Sequence, residues 1–103
     1  MSASGIHVII RYQAQAGHEA TALRELTALI SVVRAAEPDC TGITIVNSDD
    51  EPGRIVLIET WTSREAYAGP HLQTPHIQAF IQRAGSFMAG PPEITYWYHV
   101  ATA

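Results

Sequence analysis

The chain has 103 residues, a length that predicts a single domain over 1–103. Ten Asp+Glu against six Lys+Arg give a formal net charge of −4, and the six cations are all scattered arginines, so no nucleic-acid partner and no anionic membrane partner is expected. Apolar residues make up 47% but charged ones only 16%, below the roughly 25% of a typical domain, and a small charge-poor domain often hides surface in an oligomer.

Cys40 is the lone cysteine, which excludes an intrachain disulfide and a thiolate metal cluster. The opening "MSASGIHVII" lacks the charged and long apolar regions of a signal peptide. No apolar run approaches the roughly 18 residues that a membrane span needs. A soluble cytoplasmic protein is expected.

"IHVIIRYQA" (6–14) is rich in β-branched residues and reads as a strand. In "AGHEATALRELTALISVVRAAE" (16–37), Leu23, Leu26, Ile30 and Val33 recur at helical spacing, and Pro38 stops the helix. "TGITIVNS" (41–48) and "RIVLIETW" (54–61) are strands joined by the turn "DDEPG", a hairpin. Ser63 is a suitable N-cap for a short helix that Gly69-Pro70 interrupts. Thr74 caps the next helix with Pro75 at its first position, and Ile77, Phe80, Ile81 and Ala84 form its apolar stripe, continued by Phe87 and Met88. "EITYWYHV" (93–100) is the last strand.

The order β-α-β-β-α-β predicts an α+β, ferredoxin-like fold, a four-stranded antiparallel sheet with helices on one face. Ile94, Tyr96, Tyr98 and Val100 alternate with Thr95, Trp97 and His99, so the last strand carries large apolar groups on both sides. A sheet apolar on both faces predicts a homodimer packed through the uncovered face.

The stretch "IVLIETWTSREAYAGPHLQTPHIQAF" (55–80) resembles the antibiotic biosynthesis monooxygenase family of dimeric α/β barrels. The matching features are Glu59-x-Trp61 at a strand end, Tyr67 in a short helix, His71, then Thr74-Pro75-His76 opening a helix that reaches Phe80. "EPDCTGITIV" (37–46) is also similar to the family's helix-to-strand join, with Asp39 where the family often has Gly. The resemblance covers nearly the whole chain and is more specific for the fold than for an activity. It implies an enzyme that uses no metal and no organic cofactor to oxidise a small aromatic substrate (a hydroquinone, anthrone or polyketide-like phenol) with O₂. In such relatives the Trp and the aromatic at position 67 line the substrate cavity, helped by an Asn four residues before the Trp and an Arg on the last helix. Here the Asn position is Leu57, and Arg83 is near the Arg position. A haem-degrading member would need Asn, Trp and His near Ile10, Pro70 and Phe80, so that chemistry is not expected.

Ile55, Leu57, Glu59 and Trp61 share one strand face, which sets a carboxylate in an apolar row. Glu59 either orients His71 or bonds backbone amides or a helix end, since a buried carboxylate needs partners. Trp61 is either the wall of an aromatic pocket or plain core. His71 is the candidate acid–base residue, the alternative being a structural bond to Glu59. His76 reads as a local or interface residue or as a substrate contact. On one continuous helix it would point about 140° from His71, so the two make no metal pair and no metal is expected. Tyr67 and Tyr98 are phenols for a quinol or packing at a cavity rim, and Arg11 is a carbonyl or anion partner or a solvated charge. The candidate catalytic set is thus His71, Glu59, Trp61 and Tyr67, and the candidate substrate-binding set is Leu57, His76, Phe80, Arg83 and Tyr98. Two other functions stay open: a non-catalytic dimeric binding or regulatory barrel, and a His-based isomerase that does not use O₂.

Overall fold

A computed structural model describes residues 5–103. Its elements run β1 (Ile6–Gln13), α1 (Glu19–Ala36), β2 (Cys40–Asn47), β3 (Arg54–Trp61), α2 (Arg64–Ala68), a 3-10 turn (Pro70–Gln73), α3 (Pro75–Ala84) and β4 (Glu93–Trp97). The sheet is antiparallel in the order β2-β3-β1-β4, the expected ferredoxin-like topology.

The helices cover one face of this sheet. Ile6, Val8 and Ile10 of β1 and Ile55, Leu57 and Trp61 of β3 are buried there against Ala22, Leu26, Leu29 and Val33 of α1 and Ile77 and Phe80 of α3. β3 alternates between buried and more open positions along its whole length, the signature of a strand with one covered face. The apolar stripe of α1 supplies the facing layer, as its helical period requires.

Three boundaries differ from the sequence expectation by more than a residue. α1 starts at Glu19, because Gly17 turns the chain with φ 85°, a conformation that favours glycine. α3 ends at Ala84, and Phe87 and Met88 are buried in the turn beyond it, where Ala14 bridges Met88. β4 ends at Trp97 rather than Val100. Trp97 pairs with His7 and β1 begins one residue before His7, so the sheet offers almost no further ladder. Tyr98 and Val100 are accordingly exposed, at 74% and 94%.

The link from β3 to α3 sets the site. Ser63 Oγ accepts from the Ala66 N–H at 3.1 Å and starts α2. Gly69-Pro70 ends it, and the 3-10 turn carries His71 into the interior. Thr74 then does two jobs. Its hydroxyl donates to the His71 carbonyl at 2.8 Å and accepts from the Ile77 N–H at 3.4 Å, joining the turn to α3. Thr74→Ala is expected to cost about 1 kcal/mol, measured by chemical denaturation, with Thr74→Ser close to wild type.

Candidate active site

A cavity of about 710 Å³ lies between the sheet and α1, α2 and α3. Its walls are mainly apolar, with Ile10, Leu57, Leu29 and Phe80 among them, and Ile81 and Pro91 stand at the mouth. Six lining side chains carry polar atoms: Tyr12, Glu59, Tyr67 and His71 in the interior, and the exposed Gln73 and Gln78. An apolar pocket of a few hundred Å³ with a small number of convergent polar groups is the usual form of a small-molecule site.

Glu59 sits in an apolar row of the sheet, with Val8 and Ile43 as its cross-strand partners and Tyr96 paired to Val8 beyond. It is buried, at 4% exposure. Its Oε1 accepts a hydrogen bond from Trp61 Nε1–H at 2.8 Å. Burial pushes the carboxyl up to about 7, the indole bond opposes the rise, and the charge of Glu37 adds to it. The group is therefore divided between acid and carboxylate near neutral pH, where acid–base groups work best.

His71 is also buried, at 3% exposure. Its Nδ1 lies 2.9 Å from both oxygens of Glu37, the residue that ends α1. Burial lowers its pKa from 6.5, and Glu37 opposes the fall. The ring is therefore neutral at pH 7. It stacks against Trp61 and Tyr67 at centroid distances of 4.6 and 4.9 Å. Burial raises both Tyr67 and Tyr12, so these phenols stay protonated and can donate.

Among the described residues, His71 Nε2, Glu59 Oε2 and the hydroxyls of Tyr12 and Tyr67 have no hydrogen-bond partner, yet no sealed side-chain polar atom is left without one. These four atoms therefore reach open space in the cavity that their side chains line. One lone pair, one carboxyl oxygen and two phenols are presented to whatever enters.

Five expected residues line this cavity: Leu57, Glu59, Tyr67, His71 and Phe80. The others lie elsewhere. Trp61 is behind the wall, buttressing His71, Tyr67 and Glu59, and is not part of this cavity's lining. His76 bonds Glu37 through Nε2 at 2.6 Å and is not part of the lining. Arg83 is paired outside with Glu25 of α1 at 3.0 Å. Tyr98 follows the end of β4 and borders a second, smaller hollow of about 400 Å³ with Trp61, His7 and His99. Arg11 is paired with Glu93 on the exposed sheet surface. The expected Glu59–His71 bond is replaced by Glu59–Trp61 and Glu37–His71. Two same-face neighbours on one strand satisfy each other, and the C-cap residue of α1 reaches His71. Tyr12 and Glu37 stand outside the candidate sets read from the sequence. Tyr12 was readable, since it alternates onto the face of Val8 and Ile10.

Cys40 is buried and its thiol is pushed up to about 11, chiefly by burial, so it is no nucleophile at neutral pH. Among the described residues no three His, Cys, Asp or Glu side chains form a metal-holding group. No helix of the described residues is long and apolar enough to cross a membrane.

A ferredoxin-like sheet with an apolar cavity under its helices, and with an imidazole and a carboxyl at the cavity wall, defines an α+β domain with a candidate small-molecule site. Residues 5–83 match the antibiotic biosynthesis monooxygenase family, and the chain belongs to that family. It is similar to Rv0793 from Mycobacterium tuberculosis, at 27% identity and a TM-score of 0.82 over 97% of this chain and 99% of that one. A candidate antibiotic biosynthesis monooxygenase from Caulobacter crescentus is 28% identical with a TM-score of 0.84, covering 95% and 92%. PA3566 from Pseudomonas aeruginosa, at 24% identity and a TM-score of 0.84 over 95% and 96%, shares the fold. Among curated proteins, sll1783 of Synechocystis, which is uncharacterized, is 29% identical over 59 residues, 57% of this chain but only 40% of that protein's length.

The raised Glu59 carboxyl carries a stability consequence. The native state binds its proton between pH 4.5 and about 7 while the unfolded chain has released it. Stability therefore falls as pH rises through that window and is level above it. Glu59→Gln is expected to remove this fall and to gain on the order of 3 kcal/mol relative to wild type between pH 5 and pH 8. Urea denaturation at the two pH values checks it.

Proposed function

We propose that this protein is a cofactor-independent monooxygenase acting on a neutral, electron-rich phenol such as a hydroquinone or anthrone. The observation that carries this reading is the free Nε2 of a neutral His71 at the wall of an apolar cavity with no arginine among its described lining residues. A carboxylated or phosphorylated substrate would meet no cation there and would meet Glu59. A flat phenol would lie against Leu57 and Phe80, with its oxygens within the reach of His71, Tyr12 and Tyr67.

In the proposed cycle His71 Nε2 takes the phenolic proton. The resulting anion passes one electron to O₂, and the radical pair combines to a carbon-bound peroxide. The His71 imidazolium returns its proton to the outer peroxide oxygen, and the neutral imidazole then takes the second proton from that carbon as the O–O bond breaks, leaving a carbonyl on the product and a hydroxide that departs as water. Glu59, in its protonated form, is suited to supply the proton that the departing hydroxide needs. With ¹⁸O₂ the product gains one labelled oxygen. Recovery of product with none would overturn the oxygenase reading. An acid and a base at one cavity also suit an isomerase, and only that reading gives turnover under strict anaerobiosis.

The charge argument has its own check. By calorimetry, 1-naphthol is expected to bind at least about tenfold more tightly at pH 8 than 1-naphthoate, which leaves a charge unpaired in an apolar site. Equal affinities would remove the substrate-class assignment.

The proposed assembly is a homodimer through the uncovered sheet face, where Ile58 and Trp97 are 39% and 49% exposed and Val46 is 44% exposed. Ile58→Glu is expected to convert the dimer mass to a monomer mass in light scattering at micromolar concentration. A wild-type monomer would refute it.

A further inference from the structure

Glu37, His71 and His76 come from three different places in the fold: the C-cap of α1, the 3-10 turn and the first turn of α3. One carboxylate joins them. His71 Nδ1 is 2.9 Å from both its oxygens, and His76 Nε2 is 2.6 Å from Oε2. The three side chains are 4%, 12% and 19% exposed for His71, Glu37 and His76. A carboxylate only accepts, so both facing nitrogens must carry hydrogens. That fixes His71 as the Nδ1–H tautomer, which an imidazole free in water does not favour, and leaves the lone pair on Nε2 at the cavity. The charged and titratable groups facing His71 are Glu37, His76 and Tyr67, with the Trp61 ring closing the remaining side.

We propose that Glu37 is the positioning residue of the cavity base and that His76 is its clamp, a His–Glu–His clasp that holds His71 Nε2 bare toward the substrate. Glu37 does not touch the substrate and acts through His71. Its charge steadies the imidazolium formed when Nε2 takes a proton. His76, bonded to Oε2, stops the carboxylate from rotating away. The catalytic consequence rests on the oxygenase reading above, whereas the tautomer does not.

The test is ¹⁵N–¹H correlation of the imidazoles in histidine-labelled protein across pH. Wild-type His71 is expected as the Nδ1–H tautomer in its neutral form. Glu37→Gln keeps an acceptor but loses the charge, so it should keep the tautomer and weaken His71 proton affinity at least about tenfold. Glu37→Ala should make Nε2–H the major form. His76→Ala should raise its share, with His76→Gln restoring wild-type behaviour. A wild-type His71 in the Nε2–H form overturns the clasp without any variant. So does an unchanged tautomer in a folded Glu37→Ala protein. With an active substrate, Glu37→Ala should lower kcat at least about tenfold, part of what a positioned base supplies, with KM little changed. A correct tautomer without oxygen consumption would leave the clasp standing and remove the oxygenase reading instead.

Discussion

His71→Ala is expected to lower oxygen-dependent turnover by roughly 10²–10⁴-fold, the share that a positioned base contributes, while KM changes only a few-fold. The asymmetry follows from the geometry. The cavity wall is built mainly by Leu57, Phe80, Ile10 and Leu29, which remain when the imidazole is removed. What is lost is the imidazole lone pair at that wall. His71→Gln is the sharper companion, because an amide fills much of the space and still bonds Glu37, yet takes no proton near neutral pH. Stopped-assay kinetics under saturating oxygen separate kcat from KM. Loss confined to KM would mean that His71 grips the substrate rather than deprotonating it. Because burial lowers the His71 pKa, kcat/KM should hold through the ordinary imidazole range and fall only at more acid pH.

The largest stability effect is expected at Trp61. Trp61→Ala should cost about 3–5 kcal/mol, the range for removing a buried aromatic, out of the roughly 5–15 kcal/mol that holds a domain together. The indole contacts Tyr67 and His71 and supplies the hydrogen bond to Glu59, so its removal opens a hole behind the site wall. Trp61→Phe isolates the polar part. It keeps a ring but leaves Glu59 Oε1 without its donor, at about 1–3 kcal/mol. That cost should be greater at pH 8, where Glu59 is ionised, than at pH 5, where it is protonated. Denaturant titrations at both values check the difference, and a cost independent of pH would show that the indole bond is not what the phenyl ring lacks.

The strand faces were the most legible part of the chain. Period-2 alternation puts Ile55, Leu57, Glu59 and Trp61 on the covered side, and it also puts Tyr12 there. Helix ends were legible where a cap or a proline marks them, as at Ser63, Thr74 and Pro38. The partner of His71 was not. Glu37 lies 34 residues before His71 and 39 before His76, and no local spacing connects them. Only the packing of α1 over the sheet brings the end of that helix to the 3-10 turn. On one continuous helix the two histidines would point about 140° apart. Instead Thr74 is extended, with ψ 149°, between the 3-10 turn and α3, and both rings converge on Glu37. Arg83 is the opposite case: it is near the family's Arg position in sequence, and Glu25 holds it at the surface.

Dissolved-oxygen uptake by metal-stripped protein, with a panel of hydroquinones and anthrones against a protein-free blank, tests the central claim most directly. The blank matters because these substrates autoxidise. Uptake well above it, with one O₂ consumed per product formed, is the predicted result. Uptake equal to the blank across the panel, from protein that is folded and binds 1-naphthol, would contradict the oxygenase account and leave a binding barrel or oxygen-free proton chemistry in its place.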